Sequence, residues 1–387
     1  MYWSKLKKRR SNLLEMQIGW RYSLLLAIVI SNTACTHLAY YAQATQGQLA
    51  VIRSARPIDT WLADPGISKD LKQRLARTRE IRQFASRELG LPDNGSYTRY
   101  ADIKRPFVVW NVVATPELSM KPVQWCFPVA GCVDYRGYYN KQHAQRFAAE
   151  LRAEGYEARV AGVPAYSTLG WFDDPVLSTF IVYPEAEVAR MLFHELAHQV
   201  AYAPGDTPFN EAFATTVEGI GVTRWLDIHA SEETRHHYQQ FRARKQDFIK
   251  LLSTYRLQLE AVFASDVSDD DKRAQKAALI AALQQDYQQI KQNKWQGYAG
   301  YDVWFTEPIT NAHFVSIATY EALVPAFQSL FAQSGSLPKF YAEVKALAKQ
   351  DKVKRQHRLA ALMTSPTDSC APNQKEAMAI TPPAAAQ

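Results

Sequence analysis

One short segment, residues 193–199, constrains this chain more than any other. It reads Phe-His-Glu-Leu-Ala-His-Gln. On an α-helix, His194 and His198 are four residues apart and project from the same face. Two imidazoles placed in this way can bind one tetrahedral zinc ion. Glu195 lies about 100° around the helix from His194, beside the metal, where it can act as a general base and later as an acid. The segment therefore predicts a helix and a Zn²⁺ site of the hydrolytic type.

A third ligand is expected on the helix that follows. Residues 209–218 read Phe-Asn-Glu-Ala-Phe-Ala-Thr-Thr-Val-Glu, and a Pro-Gly turn before them lets this helix run back along the first. Zinc hydrolases with two His ligands and one Glu ligand take the carboxylate from a following helix. Glu211, in the first turn, is the preferred ligand. Glu218, two turns further on, is predicted to orient a histidine or to be the alternative ligand. Asp206 either bonds a zinc histidine or caps the second helix.

A donor to the oxyanion of a tetrahedral intermediate is also required. The candidates downstream of the third ligand are Tyr301, Tyr320 and His313, and the alternative for each is a packed core aromatic or a hydrogen-bonded buried histidine. Residues 165–174, rich in Tyr, Ser, Thr, Gly and Trp, either line the cleft beside a bound peptide or form a structural turn.

The N-terminal segment carries most of the positive charge. The formal net charge is +7, but six basic residues and one Glu precede Cys35, so +6 − 1 = +5 falls there and about +2 remains. The remainder of the chain, so close to neutrality, gives no reason to expect a nucleic-acid partner. The basic residues precede a short apolar run at residues 24–30 and then small residues, a pattern typical of a secretory signal.

Cys35 follows those small residues directly and resembles the lipid-modified cysteine of bacterial lipoproteins. We expect a signal at residues 1–35, with Cys35 as the first mature residue and the membrane anchor. An ordinary signal peptide or an uncleaved anchor is the alternative, since Asn32 stands where an aliphatic residue is usual. The expected location is the cell envelope, facing the periplasm. Aligned with such a lipoprotein, the residue after the cysteine is Thr36 rather than Asp, and by this resemblance the outer membrane is favoured. No later stretch approaches the roughly 20 apolar residues of a membrane span.

Two cysteines lie close together in the middle of the chain. Cys126 and Cys132 are six residues apart, with a Pro and a Gly between them that let the chain fold back. In an oxidising compartment, this spacing predicts either a small-loop disulfide or two buried thiols.

Hydrophobic periodicity predicts a predominantly helical α+β fold. Residues 36–365 are expected to form the folded domain, with a mixed α/β part at 105–185 and a helical part at 186–350. A disordered tail is expected at 366–387. The predicted helices are 67–90, 141–154, 185–202, 208–226, a hairpin over 231–290 with a break near 265–269, 311–331 and 338–349. The predicted strands are 107–114, 156–163 and 179–183.

The zinc-site residues resemble the gluzincin pattern. In the large zinc aminopeptidases of that clan, a helix of the His-Glu-Leu-Ala-His-Gln type is followed by an Asn-Glu-Gly-Phe-Ala segment. The resemblance implies that His194, His198 and Glu211 bind zinc and that Glu195 is the base. Twelve residues separate His198 from Glu211, fewer than in those enzymes.

More of the chain, roughly residues 35–330, resembles the bacterial predicted aminopeptidases, which are often lipoproteins. Besides the zinc helices, the resembling segments are residues 40–49, Trp110-Asn111-Val112-Val113-Ala114, residues 125–138, residues 165–175, Asn311-Ala312, Tyr320 and Val324-Pro325-Ala326-Phe327. The resemblance implies a gluzincin-like core, a small mixed sheet with the zinc helix, and a helical C-terminal half.

The implied activity is removal of N-terminal residues from peptides in the cell envelope by zinc-activated water. A carboxylate for the substrate's α-amine would then be needed, and Glu218, Glu185 and Asp174 are candidates. The alternatives are an endopeptidase or cell-wall amidase with the same zinc site, or a lipoprotein scaffold without activity.

Overall fold

The computed structural model of this chain is a mixed α+β fold in which helices predominate. It describes residues 40–127, 131–315 and 323–364. The expected signal segment with Cys35, the candidate Tyr320 and the expected tail lie outside the described residues. Within the described ranges, no helix combines the length and the apolar character that crossing a bilayer would require.

The described strands form three small sheets. In the first, β1 (Arg56–Pro57) pairs antiparallel with β2 (Arg99–Ala101), which pairs parallel with β8 (Val176–Leu177). In the second, β3 (Val109–Pro116) lies between β6 (Arg136–Tyr138) and β7 (Tyr156–Val163), antiparallel to both. The third is the hairpin of β4 (Trp125–Phe127) and β5 (Gly131–Val133).

The second sheet has one core face and one cleft face, because side chains alternate along a strand. Trp110, Val112 and Ala114 of β3 are buried in a cluster that also contains Ala144 and Ala148. The residues between them project to the opposite side. The sequence prediction of strands at 107–114 and 156–163 is confirmed here, within two residues at each end.

The helices of the first half are α1 (residues 40–54), α2 (Ile58–Ala63), α3 (Lys69–Arg87) and α4 (Lys141–Ala153). Those of the second half are α5 (Glu185–Val200), α6 (Thr207–His229), α7 (Glu232–Ala264), α8 (Asp269–Asn293), α9 (Val324–Ser334), α10 (Leu337–Ala348) and α11 (Lys352–Thr364). Most predicted helices are confirmed, including the α7–α8 hairpin and its break.

The main core surrounds the helix that carries the His-Glu-x-x-His segment. Phe193, Leu196 and Ala197 of α5 are fully buried. A side chain at Gly221 of α6 would lie 2.6 Å from the Phe193 ring, so only glycine permits this close packing of α5 on α6. The opposite face of α5 is left to carry the polar side chains of the site.

One sequence prediction of secondary structure was wrong, and a second is confirmed only in its C-terminal part. The expected strand at 179–183 is a turn, in which the amides of Phe180 and Ile181 bond back to the carbonyl of Leu177. Both side chains are buried, so the short apolar run marks a buried turn rather than a half-buried strand. The expected helix at 311–331 is, in its described parts, a 3-10 turn at Asn311–His313 followed by α9. Helix α11 was not predicted.

Candidate active site

Two consecutive helices, α5 and α6, carry the polar side chains of the site, and the loop between them is held firmly. The buried Asn210 side chain accepts a bond from the Ala203 amide at 2.7 Å and donates one to its carbonyl at 2.9 Å. Asp206 caps α6 by accepting from the Phe209 amide, and it forms a buried ion pair with Arg355 at 2.8 Å. The structure thus gives Asp206 the capping role rather than a bond to a histidine.

Three side chains converge on one point. The Nε2 atoms of His194 and His198 are 3.2 Å apart, and Glu211 Oε2 lies 3.2 Å from His194 Nε2. One ligand atom from each residue lies within 4.8 Å of the others, so the cluster could hold a metal ion. Two imidazole nitrogens and one carboxylate oxygen form the donor set of catalytic zinc sites with a fourth position left open. The residues present therefore fit zinc.

Glu218 binds the far side of the His194 ring. Its Oε2 lies 2.9 Å from His194 Nδ1 and 3.0 Å from a guanidinium nitrogen of Arg190. Arg190 also donates to Glu187 at 2.9 Å. The carboxylate thereby fixes the orientation of the imidazole and directs Nε2 toward Glu211. Glu218 supports the histidine from behind, which is the role preferred for it over that of a ligand.

The electrostatics of the cluster favour a cation between the three side chains. Burial alone would lower the pKa of His194, but hydrogen bonds to Glu211 and Glu218 outweigh burial and raise it to about 10. Burial lowers the pKa of His198 to about 4. Burial likewise opposes ionisation of Glu218, yet Arg190 and His194 hold its pKa at about 2. A proton on His194 therefore occupies the place that a metal ion would take.

Glu195 lies beside the cluster and forms no ion pair with the residues that the structure describes. Burial, reinforced by the nearby Glu211, raises the pKa of this carboxyl to about 7, although the positive charge of His194 opposes the shift. A carboxyl with a pKa near the working pH can both take up and release a proton, as a general base followed by a general acid must.

The cluster opens into a cleft of about 540 Å³, which is the size of a small-molecule or short-peptide site. One wall is the sheet face that carries Val109, Asn111 and Val113 of β3. The other walls come from α1, from the β4–β5 hairpin and the residues just after it, and from the loop after β7. Of residues 165–174, the cleft is lined by Ala165, Tyr166, Ser167 and Leu169.

The cleft is acidic. Its described lining includes the carboxylates of Glu195, Glu211 and Asp134, and no lysine or arginine. Asp134 and the neighbouring Tyr135 follow the hairpin directly, and Tyr202 follows α5. Sequence reasoning missed all three. Tyr202 could have been found, since it lies four residues after His198 within the helix predicted at 185–202, although the observed helix ends at Val200.

The tyrosine and histidine expected to stabilise the oxyanion lie elsewhere or outside the described residues. Tyr301 stacks on Phe248 of α7, with ring centroids 4.2 Å apart, in the core of the α7–α8 hairpin. His313 is buried against Trp304 and accepts a bond from the Thr310 amide. Neither lines the described part of the cleft.

The three carboxylates considered for the α-amine are also accounted for. Glu218 is engaged with His194 and Arg190. Glu185 accepts bonds from Arg77 and from the Trp225 indole, away from the cleft. Asp174 is buried and accepts two bonds from Thr168.

The hairpin beside the cleft is closed by a disulfide. Cys126 and Cys132 are directly opposite in the β4–β5 register and are bonded to each other. Gly131, with φ +74°, lies against the α5–α6 loop so closely that a Cβ there would be 2.5 Å from the Gly205 nitrogen. The hairpin is therefore in direct contact with the loop that joins the two metal-site helices.

Comparison with known proteins gives one family. The family model described as "Putative aminopeptidase" matches residues 39–359, most of the chain, and the chain therefore belongs to that family. No curated protein and no solved structure matches it. The resemblance to the predicted aminopeptidases that was noted from the sequence is confirmed by this match.

Proposed function

We propose that this member of the aminopeptidase family is a zinc-dependent peptidase that removes N-terminal residues from peptides. The observation that carries the proposal is the convergence of His194, His198 and Glu211 on one point, with Glu195 beside them in the same cleft. Family membership supports peptide hydrolysis, and the donor set supports zinc. The likeness of the core to gluzincins is part of the same proposal.

His194, His198 and Glu211 would hold the zinc ion. When bound, zinc supplies a Lewis acid that polarises the scissile carbonyl and lowers the pKa of water. Glu195 takes the proton from the attacking water and delivers it to the leaving amine. Glu218 keeps the His194 ring in the tautomer that presents Nε2 to the ligand site. Of the hydroxyl side chains that line the cleft, Tyr135 and Tyr202 take the place of Tyr301 as candidates for the oxyanion.

The charge of the cleft favours exopeptidase action at the N-terminus over action at the C-terminus. A peptide's C-terminal carboxylate requires a cationic partner, and the described lining holds no lysine or arginine. A free α-ammonium group, in contrast, suits an acidic cleft.

The zinc-peptidase proposal is tested with two variants. Glu195→Gln should keep zinc, measured by metal analysis, and lose hydrolysis of leucine p-nitroanilide. His194→Ala should lose the metal. Full activity of Glu195→Gln would refute the role of Glu195. Cleavage of N-acetylated peptides in preference to free ones would instead favour the endopeptidase or amidase. A purified chain that takes up no zinc would favour the inactive scaffold.

We further propose that the protein is a lipoprotein of the cell envelope, anchored at Cys35 with the cleft facing the periplasm and, by preference, at the outer membrane. The bonded Cys126–Cys132 pair supports an oxidising compartment. Mass spectrometry of the purified protein should find an acylated cysteine at the N-terminus. Cys35→Ala should move the protein to the soluble fraction, and continued fractionation with outer membranes would refute the anchor.

A further inference from the structure

We propose that Asp134, presented by the disulfide-bonded β4–β5 hairpin, is the acceptor for the substrate's α-ammonium group. The inference rests on the proposed aminopeptidase function and adds the residue that would select free N-termini. It makes the hairpin a recognition element for substrates with a cationic end.

The charges in the cleft single out Asp134. Of the three carboxylates in its described lining, Glu211 belongs to the cluster of proposed metal ligands (His194, His198 and Glu211), called the metal cluster below, and Glu195 is the proposed base. Asp134 is the carboxylate that remains. It is half-buried, and among the described residues its one hydrogen-bond donor is the Gln124 side-chain amide, 3.0 Å from Oδ1. This bond orients the carboxylate without neutralising it, since the donor is uncharged.

The other candidate carboxylates are less suitable, for physical reasons. Glu218 is neutralised by Arg190, and Glu185 by Arg77. Asp174 has a negligible accessible surface and does not line the cleft, so a substrate amine could reach it only after rearrangement of the loop. Asp134 needs no such movement, because it already borders the space next to the metal cluster.

The hairpin has the features of a positioned element. A two-stranded hairpin alone is marginally stable, and among the described strands β4 and β5 pair only with each other. The Cys126–Cys132 bond joins them directly, and the contact of Gly131 with Gly205 seats the hairpin on the α5–α6 loop. Asp134 is two residues beyond the disulfide, so its place relative to the metal cluster depends on both constraints.

The test compares two probes that differ only in the amine. L-leucinamide carries the α-ammonium group, and N-acetyl-L-leucinamide does not. Their binding is measured by calorimetry on the zinc-loaded full chain with Glu195→Gln, which prevents turnover. A hydrogen bond to a charged group predicts that leucinamide binds roughly 10-fold to 100-fold tighter than the acetylated form. Adding Asp134→Asn should remove most of this preference and leave zinc content unchanged.

The matched control is Asp266→Asn, an exposed aspartate in the α7–α8 loop, which should keep the preference. The double variant Cys126→Ser/Cys132→Ser should weaken leucinamide binding and retain zinc. A preference that survives Asp134→Asn, or that is absent from the parent chain, overturns the proposal.

Kinetics separate this inference from the proposed function. In the active enzyme, Asp134→Asn should raise the KM for leucine p-nitroanilide roughly 10-fold to 100-fold, with little change in kcat. If the wild-type enzyme hydrolyses this substrate and Asp134→Asn leaves the KM unchanged, only the role of Asp134 is refuted. If the wild-type, zinc-loaded chain hydrolyses no free-amine substrate, the aminopeptidase proposal itself fails.

Discussion

If the protein binds zinc as proposed, Glu218 should control its affinity for the ion, although Glu218 is not one of the proposed ligands. Its carboxylate lies 2.9 Å from His194 Nδ1 and 3.0 Å from Arg190. With zinc on Nε2, the Nδ1–H would donate to this carboxylate, which fixes the ring and strengthens its basicity. Removing the carboxylate should therefore weaken zinc binding without removing any of the three proposed ligands.

The expected size of the effect follows from the contact. A hydrogen bond to a charged group is worth about 1.5–3 kcal/mol, which corresponds to roughly 10-fold to 100-fold in the zinc Kd. Glu218→Gln keeps an acceptor for Nδ1–H but loses the charge, so about 10-fold is expected. Glu218→Ala loses both and leaves Arg190 with Glu187 alone, so the loss should approach 100-fold.

Competition with a chromophoric zinc chelator measures this change directly. The matched control is Glu187→Gln, which removes the other carboxylate on Arg190 and does not contact His194. It should leave the zinc Kd within about 2-fold, since a partly exposed ion pair contributes little. Equal zinc affinity in Glu218→Ala and wild type would refute the argument, and so would a larger loss in Glu187→Gln.

Three further predictions concern proton release on zinc binding, the pH dependence of stability, and the contact of the β4–β5 hairpin with the α5–α6 loop. Because the pKa of His194 is raised to about 10, zinc binding at pH 8 should release about one proton, and the zinc affinity should fall as the pH falls. Calorimetry in two buffers of different ionisation enthalpy measures the number of protons released. Zinc binding that releases no proton would refute the prediction. Burial raises the pKa of Asp174 from 3.8 to about 6. Between about pH 6 and pH 4, Asp174 is therefore protonated in the folded state while it is still largely ionised in the unfolded chain. The ionised carboxylate destabilises the folded state above pH 6. Asp174→Asn should thus be more stable to urea at pH 8 by up to about 3 kcal/mol, an advantage that disappears near pH 4; an equal advantage at both pH values would refute it. Gly131→Ala should cost more stability than Gly155→Ala, because both glycines have positive φ but only Gly131 lies against Gly205; the strain alone is about 1–2 kcal/mol, and equal losses would deny the contact.

The metal cluster was predictable from the sequence because its geometry is local. Four-residue spacing on one helix fixes His194 relative to His198, and a short turn brings Glu211 back to them. The structure places these side chains together and puts Glu218 behind His194. The helix that carries His194 and His198 was predicted at 185–202 and is observed at Glu185–Val200. Its boundaries follow from helical periodicity between Pro184 and the Pro-Gly turn.

The cleft was not predictable in the same way, because its walls come from distant parts of the chain. Tyr301 was a reasonable candidate by its position after the third ligand, yet α7 and α8 form a separate apolar cluster that contains it. Nothing in local periodicity says which of several aromatic residues faces a cleft and which faces a core. Asp134 was overlooked for the related reason that a lone aspartate after a cysteine has no spacing pattern.

The proposed chemistry and the proposed substrate recognition depend on different parts of the fold. The residues of the proposed chemistry lie on α5 and α6, which pack on each other through fully buried side chains such as Phe193. The proposed recognition residue directly follows a hairpin that is closed by a disulfide and that contacts the rest of the protein through Gly131, Phe127 and Trp125. Reduction of the disulfide should therefore affect substrate affinity before it affects zinc content, because α5 and α6 are held together mainly by their own buried side chains. An enzyme whose KM rises on reduction while its metal stays bound would show that the two parts of the site are structurally separate.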